Sequence, residues 1–214
     1  MSPFEVFDPS AVLDPSRWAG EAGAARLLEA ARHFPGGSTM LVLALFFAPV
    51  GPGIPAGVLL ARHVPLHPAV TFALYAVSDV IAAFVCHPIF GVLRRHGRNV
   101  RPIRWLGRRM MSLAMLGVPR DDERATPALT RIATVGFGVD VYTAGMLATG
   151  LGVPRIPGWM FAIAGDLVWF ALLLGTSLVA ASIADDDRIV LLAMVIAMIV
   201  IPQLARKFVP ALRR

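Results

Sequence analysis

Five apolar stretches follow one another through this chain, and two of them are broken in the middle by proline and glycine. A helix that crosses a bilayer needs roughly 20 largely apolar residues. Thr39 to Leu60, Ala69 to Leu93, Leu129 to Leu151 and Gly158 to Ala184 meet that length, and Ile189 to Ala205 lies near the lower limit. The rest of the composition agrees: 57% of the 214 residues are hydrophobic and 16% charged, with a mean hydropathy of +0.68. The other reading, buried core helices of a soluble protein, requires a small domain to cover more apolar surface than it can. The expected class is an all-α polytopic membrane protein. Met1 to Phe34 mixes Asp, Glu, Arg and Pro and has no basic-then-apolar run of a signal peptide.

The formal net charge of +6 raises the question of nucleic acid, and position answers it. Arg94, Arg95, Arg98, Arg101, Arg104, Arg108, Arg109, Arg120, Arg124 and Arg131 gather between apolar segments. That is first a topology signal, the excess of basic residues on the cytoplasmic side, and second a contact for anionic lipid. No nucleic-acid partner is expected. The single cysteine, Cys86, sits inside an apolar stretch without a partner, so neither disulfides nor a cysteine metal site is expected, and it reads as packing. No nucleotide loop, nucleophile and base, haem or quinone signature is present, so neither an enzyme nor a cofactor is expected.

Five regions follow. Residues 1–37 hold SRWAGEAGAARLLEAARHF, too polar to span and read as a surface amphipathic helix ended by Pro35-Gly36-Gly37. Residues 38–93 form a first unit, in which Pro49, Gly51, Pro52, Gly53 and Pro55 interrupt a helix before a long span carrying Asp79 and His87-Pro88. Residues 94–128 are the arginine-rich loop, within which PIRWLGRRMMSLAMLGVP has the look of an interfacial helix. Residues 129–184 form a second unit, broken by Gly136-Phe137-Gly138 and Asp140, with a half-helix from Val141 to Leu151 and a span carrying Asp166 and Trp169. Residues 185–214 hold Asp185-Asp186-Asp187, a last span and a basic tail. In hydrocarbon a broken backbone needs protein or water partners, so such breaks line a cavity or belong to re-entrant hairpins.

The two units read as copies. AGVLLARHVPLHPAVTFALYA from Ala56 lies over AGMLATGLGVPRIPGWMFAIAG from Ala144, matching Pro65 with Pro154, Pro68 with Pro157 and Phe72 with Phe161. Charge then tests the topology. A full crossing by Leu129 to Leu151 would leave the tail of Arg206, Lys207, Arg213 and Arg214 outside, whereas a segment that enters from the cytoplasm and turns back keeps the loop and the tail together. The expected architecture is therefore an inverted repeat of a re-entrant or broken helical hairpin plus a transmembrane helix, with an extra C-terminal span. A plain six-helix bundle with kinks is the alternative.

These motifs bring families into view. GPGIPAG before a long helix, the arginine-rich loop, and FGVDVYTAGMLATGLGVP before GWMFAIAGDLVWFALLLG resemble the small multidrug export family and, more distantly, the DedA/VTT family. The likeness covers Met40 to Ala184 and rests on Gly, Pro and Ala at helix breaks. It implies re-entrant-hairpin membrane proteins, with lipid-phosphate translocation or scrambling and proton-dependent transport associated with the DedA-like members. This chain departs from the DedA pattern: GPGIPAG holds no acidic residue, and Gly138, Val139 and Asp140 stand where the second hairpin would carry an arginine pair.

Asp79 and Asp166 lie inside spans, where a carboxylate costs on the order of 3 kcal/mol. Either they face the cavity between repeats and exchange protons or a cation, or each pairs structurally with a hydroxyl, a helix end or a base such as Arg62 or Arg155. Asp140 stands where it would cap the amides of Val141 to Thr143 or coordinate. Its charge offsets the positive helix ends after Gly53 and Gly138 and tilts the site toward a cation or proton. Gly51, Gly53, Pro55, Gly138, Tyr142, Thr143 and Arg62 are the candidates to line a substrate cavity. His87 reads as packing, His63 and His67 lack a metal spacing to any carboxylate, and Trp105, Trp159 and Trp169 read as interfacial or lipid-facing anchors.

The leading expectation is a small transporter or lipid translocase, acting on a small lipophilic or anionic-lipid substrate at a midplane site and coupled to protons. It would reside in a bacterial-type inner membrane with its C-terminus cytoplasmic, among membrane lipids, and homo-oligomerisation is compatible with so few helices. The competing expectation is a non-transporting organiser or assembly factor that docks partners on the arginine-rich loop.

Overall fold

The computed structural model describes residues 25, 28, 29, 31–34, 36–47, 53–96, 127–184 and 186–211. Every regular element among them is helical: α1 (Gly37–Phe47), α2 (Gly53–His63), α3 (Pro68–His96), α4 (Ala128–Gly138), α5 (Val141–Gly150), α6 (Arg155–Ile183) and α7 (Asp187–Ala211). Most of the N-terminal region, nearly all of the arginine-rich loop with its interfacial segment and Trp105, the break residue Gly51, and the end of the basic tail lie outside the described residues.

Among the described residues, three helices are long and apolar enough to cross a membrane, over Pro68–Val92, Arg155–Ile183 and Asp187–Leu204. Their outward faces agree with lipid as the solvent. Phe84 is 68% exposed, Ile183 80% and Leu192 59%, and large aliphatic residues cover much of α3, α6 and α7 beside them, an area that water would penalise heavily. Hydroxyls on these helices turn inward to their own backbone. Ser78 Oγ donates to the Tyr75 carbonyl at 2.6 Å and Ser177 Oγ to that of Leu174 at 2.7 Å, the usual way a helix satisfies a hydroxyl without a partner. The chain is therefore membrane-embedded. Pro88 sits within α3, which continues to His96, past the expected end at Leu93, because surrounding groups in a membrane protein tolerate the missing donor.

Both broken segments become pairs of short helices. α1 and α2 have 11 residues each, α4 has 11 and α5 has 10. At about 1.5 Å per residue each is about half the thickness of a hydrocarbon core. α1 packs on α2, and α4 on α5. The second break falls one residue later than the glycines suggest: helix continues through Gly138, and the chain turns at Val139 and Asp140.

The chain divides into two compact units, Met1–Ser78 with Ala171–Val200, and Asp79–Phe170 with Ile201–Arg214. Each holds one pair of short helices together with part of α3 and part of α6. In the first, α2 is buried from Pro55 to Ala61, and Gly57 lets Phe46 lie against it, since a Cβ there would stand 2.5 Å from the ring. Phe46 in turn meets Tyr75 edge to face at 5.3 Å. Arg62 Nη1 and His63 Nε2 both reach Asp187, at 3.2 Å and 2.8 Å. The bases occupy the last turn of α2 and the acid the first turn of α7, where each complements its helix dipole. All three side chains keep some exposure, 22%, 28% and 18%, so the clasp contributes modestly. Asp187→Ala is expected to lower stability by about 1 kcal/mol, read as a lower unfolding midpoint in detergent, with Arg62→Met producing part of the same loss.

Candidate functional site

The second unit is built on close approaches between small residues. A Cβ on Gly165 would run into the carbonyl of Ala133, and one on Gly136 into that of Ala162, so α4 crosses α6 backbone against backbone. The crossing lies beside Asp166, whose amide would be 3.4 Å from a Cβ on Gly136. On α5, Gly145 makes room for the ring of Trp159. Trp159 Nε1 donates to His87 Nδ1 at 3.1 Å, and its ring stacks on Phe90 at 6.3 Å. Trp169 meets Phe137 at 6.1 Å. Both tryptophans are 5% exposed, which corrects their reading as lipid-facing anchors: the Trp159 indole fills the space that Gly145 leaves on α5, and that of Trp169 packs on Phe137. His87, read from sequence as a packing residue, is the acceptor of the Trp159 hydrogen bond.

Into this frame come the three aspartates. Asp79 from α3 is within electrostatic reach of Asp166 from α6 and Asp140 from the start of α5. Tyr142 is within reach of all three and of Cys86. Asp79 and Asp166 are 3% and 2% exposed, and Thr143 is 6% exposed. Asp140 is the N-cap of α5: its Oδ1 accepts from the Thr143 amide at 2.6 Å and its Oδ2 from the Thr143 hydroxyl at 2.7 Å. The capping role is thus present, and Thr143 belongs to the cap. Asp79 differs. Its Oδ2 is buried with no hydrogen-bond partner.

The remaining candidates divide. Gly53 and Pro55 are buried in α2, and Gly138 has open space beside it at the end of α4. Arg62 is engaged with Asp187, and Arg155 lies over the Phe84 ring at 5.4 Å, so neither of the two arginines considered as a base for the membrane aspartates is shown paired with one. The spacing of His63 gave no sign of a carboxylate partner, yet Asp187, 124 residues away, supplies one. His67 Nδ1 accepts from the Ala69 amide at 3.2 Å at the start of α3. Among the described residues, no three His, Cys, Asp or Glu side chains stand close enough to hold a metal ion. Sequence reading set Cys86 aside as packing; it lies one helical face along from Asp79, at a spacing of seven residues, a pattern that would have placed it beside the acids. Compared with known proteins, the chain matches no family model, no curated protein and no solved structure.

Proposed function

We propose that this chain is a small membrane transporter or lipid translocase, coupled to protons, whose polar site is assembled from both sequence repeats. Asp79 comes from the first repeat, and Asp140, Tyr142 and Asp166 come from the second. The observation that carries the reading is the burial of Asp79 and Asp166 inside two membrane-length apolar helices, within electrostatic reach of each other and of Asp140. Burying carboxylates in hydrocarbon is unfavourable, and proteins that retain them there use them on ion or substrate pathways.

The inverted-repeat architecture belongs to the same reading. Each broken segment yields two half-length helices that pack together, as re-entrant hairpins do. Within the second unit, the start of α6 at Trp159 lies against the end of α3 at His87 and Phe90, so the two long helices run in opposite directions, as an inverted pair requires. Within the first, the clasp holds the end of α2 level with the start of α7. With the arginine-rich loop and the basic tail in the cytoplasm, the first hairpin enters from the outer side and the second from the inner side of a bacterial-type inner membrane. The test is flux or lipid flip in liposomes under an imposed pH gradient. The reading expects gradient-dependent activity in the wild-type protein that falls to the liposome background in Asp166→Asn. Wild-type protein indistinguishable from empty liposomes would refute it.

A further inference from the structure

We propose that Asp79 is the residue that takes up and releases the exchanged proton, at the carboxylate oxygen for which the fold provides no partner. The inference rests on the transport reading and narrows it to one carboxyl. The three aspartates are not equivalent. Asp140 has both oxygens engaged by Thr143, at 2.6 Å and 2.7 Å, and serves as the cap that starts α5. Asp79 has no such engagement, since its Oδ2 is buried and unbonded while the residue is 3% exposed. A bare carboxylate oxygen in a dry setting is among the least favourable states a side chain can hold.

Among the described residues, the charges that act on it are Asp166 on α6 and Asp140 on α5, both acidic, and Tyr142 on α5 lies within electrostatic reach, while Arg131 on α4 has a partner of its own. Arg62 and Arg155 are engaged at Asp187 and Phe84. The counter-charge that Asp79 lacks is therefore supplied by a proton. On uptake one O–H bond forms at Asp79 and the acidic group loses one negative charge. On release that bond breaks and the proton returns to water on the other side. No other bond changes.

Dicyclohexylcarbodiimide, which reacts with the protonated form of carboxylic acids in apolar surroundings, tests the assignment. Wild-type protein in liposomes would be treated across a pH series, digested and mapped by mass spectrometry. The expected adduct is on Asp79, declines as pH rises, persists in Asp140→Ser, which keeps a capping oxygen, and is lost in Asp79→Asn. An adduct on Asp166 or Asp140 with Asp79 unmodified, or no adduct on Asp79 at any pH, overturns the proposal. Infrared difference spectra provide a reading that needs no Asp140 variant: a protonated-carboxyl band that disappears in Asp79→Asn supports the assignment, and a band unchanged there overturns it. The transport reading fails separately. Labelling of Asp79 without wild-type flux keeps the proton site and removes the transporter, whereas flux without labelling removes the site and keeps the transporter.

Discussion

Gly165→Ala is expected to destabilise the protein by about 2 to 3 kcal/mol, a large effect for one methyl group. The added Cβ would meet the Ala133 carbonyl, with the Phe137 amide also 3.0 Å away. Neither is the end of a flexible side chain, so α4 must move off α6 or α6 must bend. A matched control lies ten residues along the same helix. Gly175 has nothing within 4 Å of where its Cβ would stand, and Gly175→Ala is expected to be neutral or slightly stabilising, as glycine is the poorer helix former. Thermal unfolding in detergent compares the two. Equal midpoints would mean that the α4 and α6 crossing is not as close as described. Because the crossing lies beside Asp166, the Gly165 variant should also lose flux, whereas Gly175→Ala should retain it.

Asp79→Asn is expected to separate stability from activity. A structural role for the carboxylate predicts that removing its charge breaks a bond and lowers stability. Asp79 Oδ2 makes no hydrogen bond, and an aspartate in a membrane helix costs on the order of 3 kcal/mol to insert, so the amide should leave the unfolding midpoint unchanged or raise it. Gradient-driven flux should nonetheless fall to background, because an amide does not exchange the proton. A variant that unfolds earlier and transports in proportion to its folded fraction would show that Asp79 is structural. Proteins that keep such residues do so at the expense of stability where activity requires it.

The apolar spans could be read directly from sequence because lipid imposes a length and a polarity that few other environments demand. The breaks into short helices were legible for a related reason: Pro49 to Pro55 and Gly136 to Asp140 are residues that no continuous membrane helix gathers without a purpose. The position of the second break was less so. Glycine weakens a helix without ending it, and the stop comes where Val139 leaves helical geometry and Asp140, in extended backbone, turns its carboxylate to Thr143. The burial of Trp159 depends on Gly145 across a turn, and the Arg62 to Asp187 pairing joins positions 125 residues apart. Neither leaves a local trace. Asp79, Asp140 and Asp166 were each visible as misplaced charges, whereas their grouping, and the difference between the capped Asp140 and the unpartnered Asp79, emerged only from packing.

The measurement that bears most directly on this account is the sidedness of the second hairpin. In a Cys86→Ser background, Pro127→Cys and Leu151→Cys place a thiol at each end of the α4 and α5 pair, at positions exposed in the fold. With a membrane-impermeant maleimide applied to right-side-out and to inverted vesicles, both thiols should react from the cytoplasmic face alone. Reaction of the two from opposite faces would mean that α4 and α5 pass through the bilayer as one kinked span, and would contradict the architecture on which the site depends.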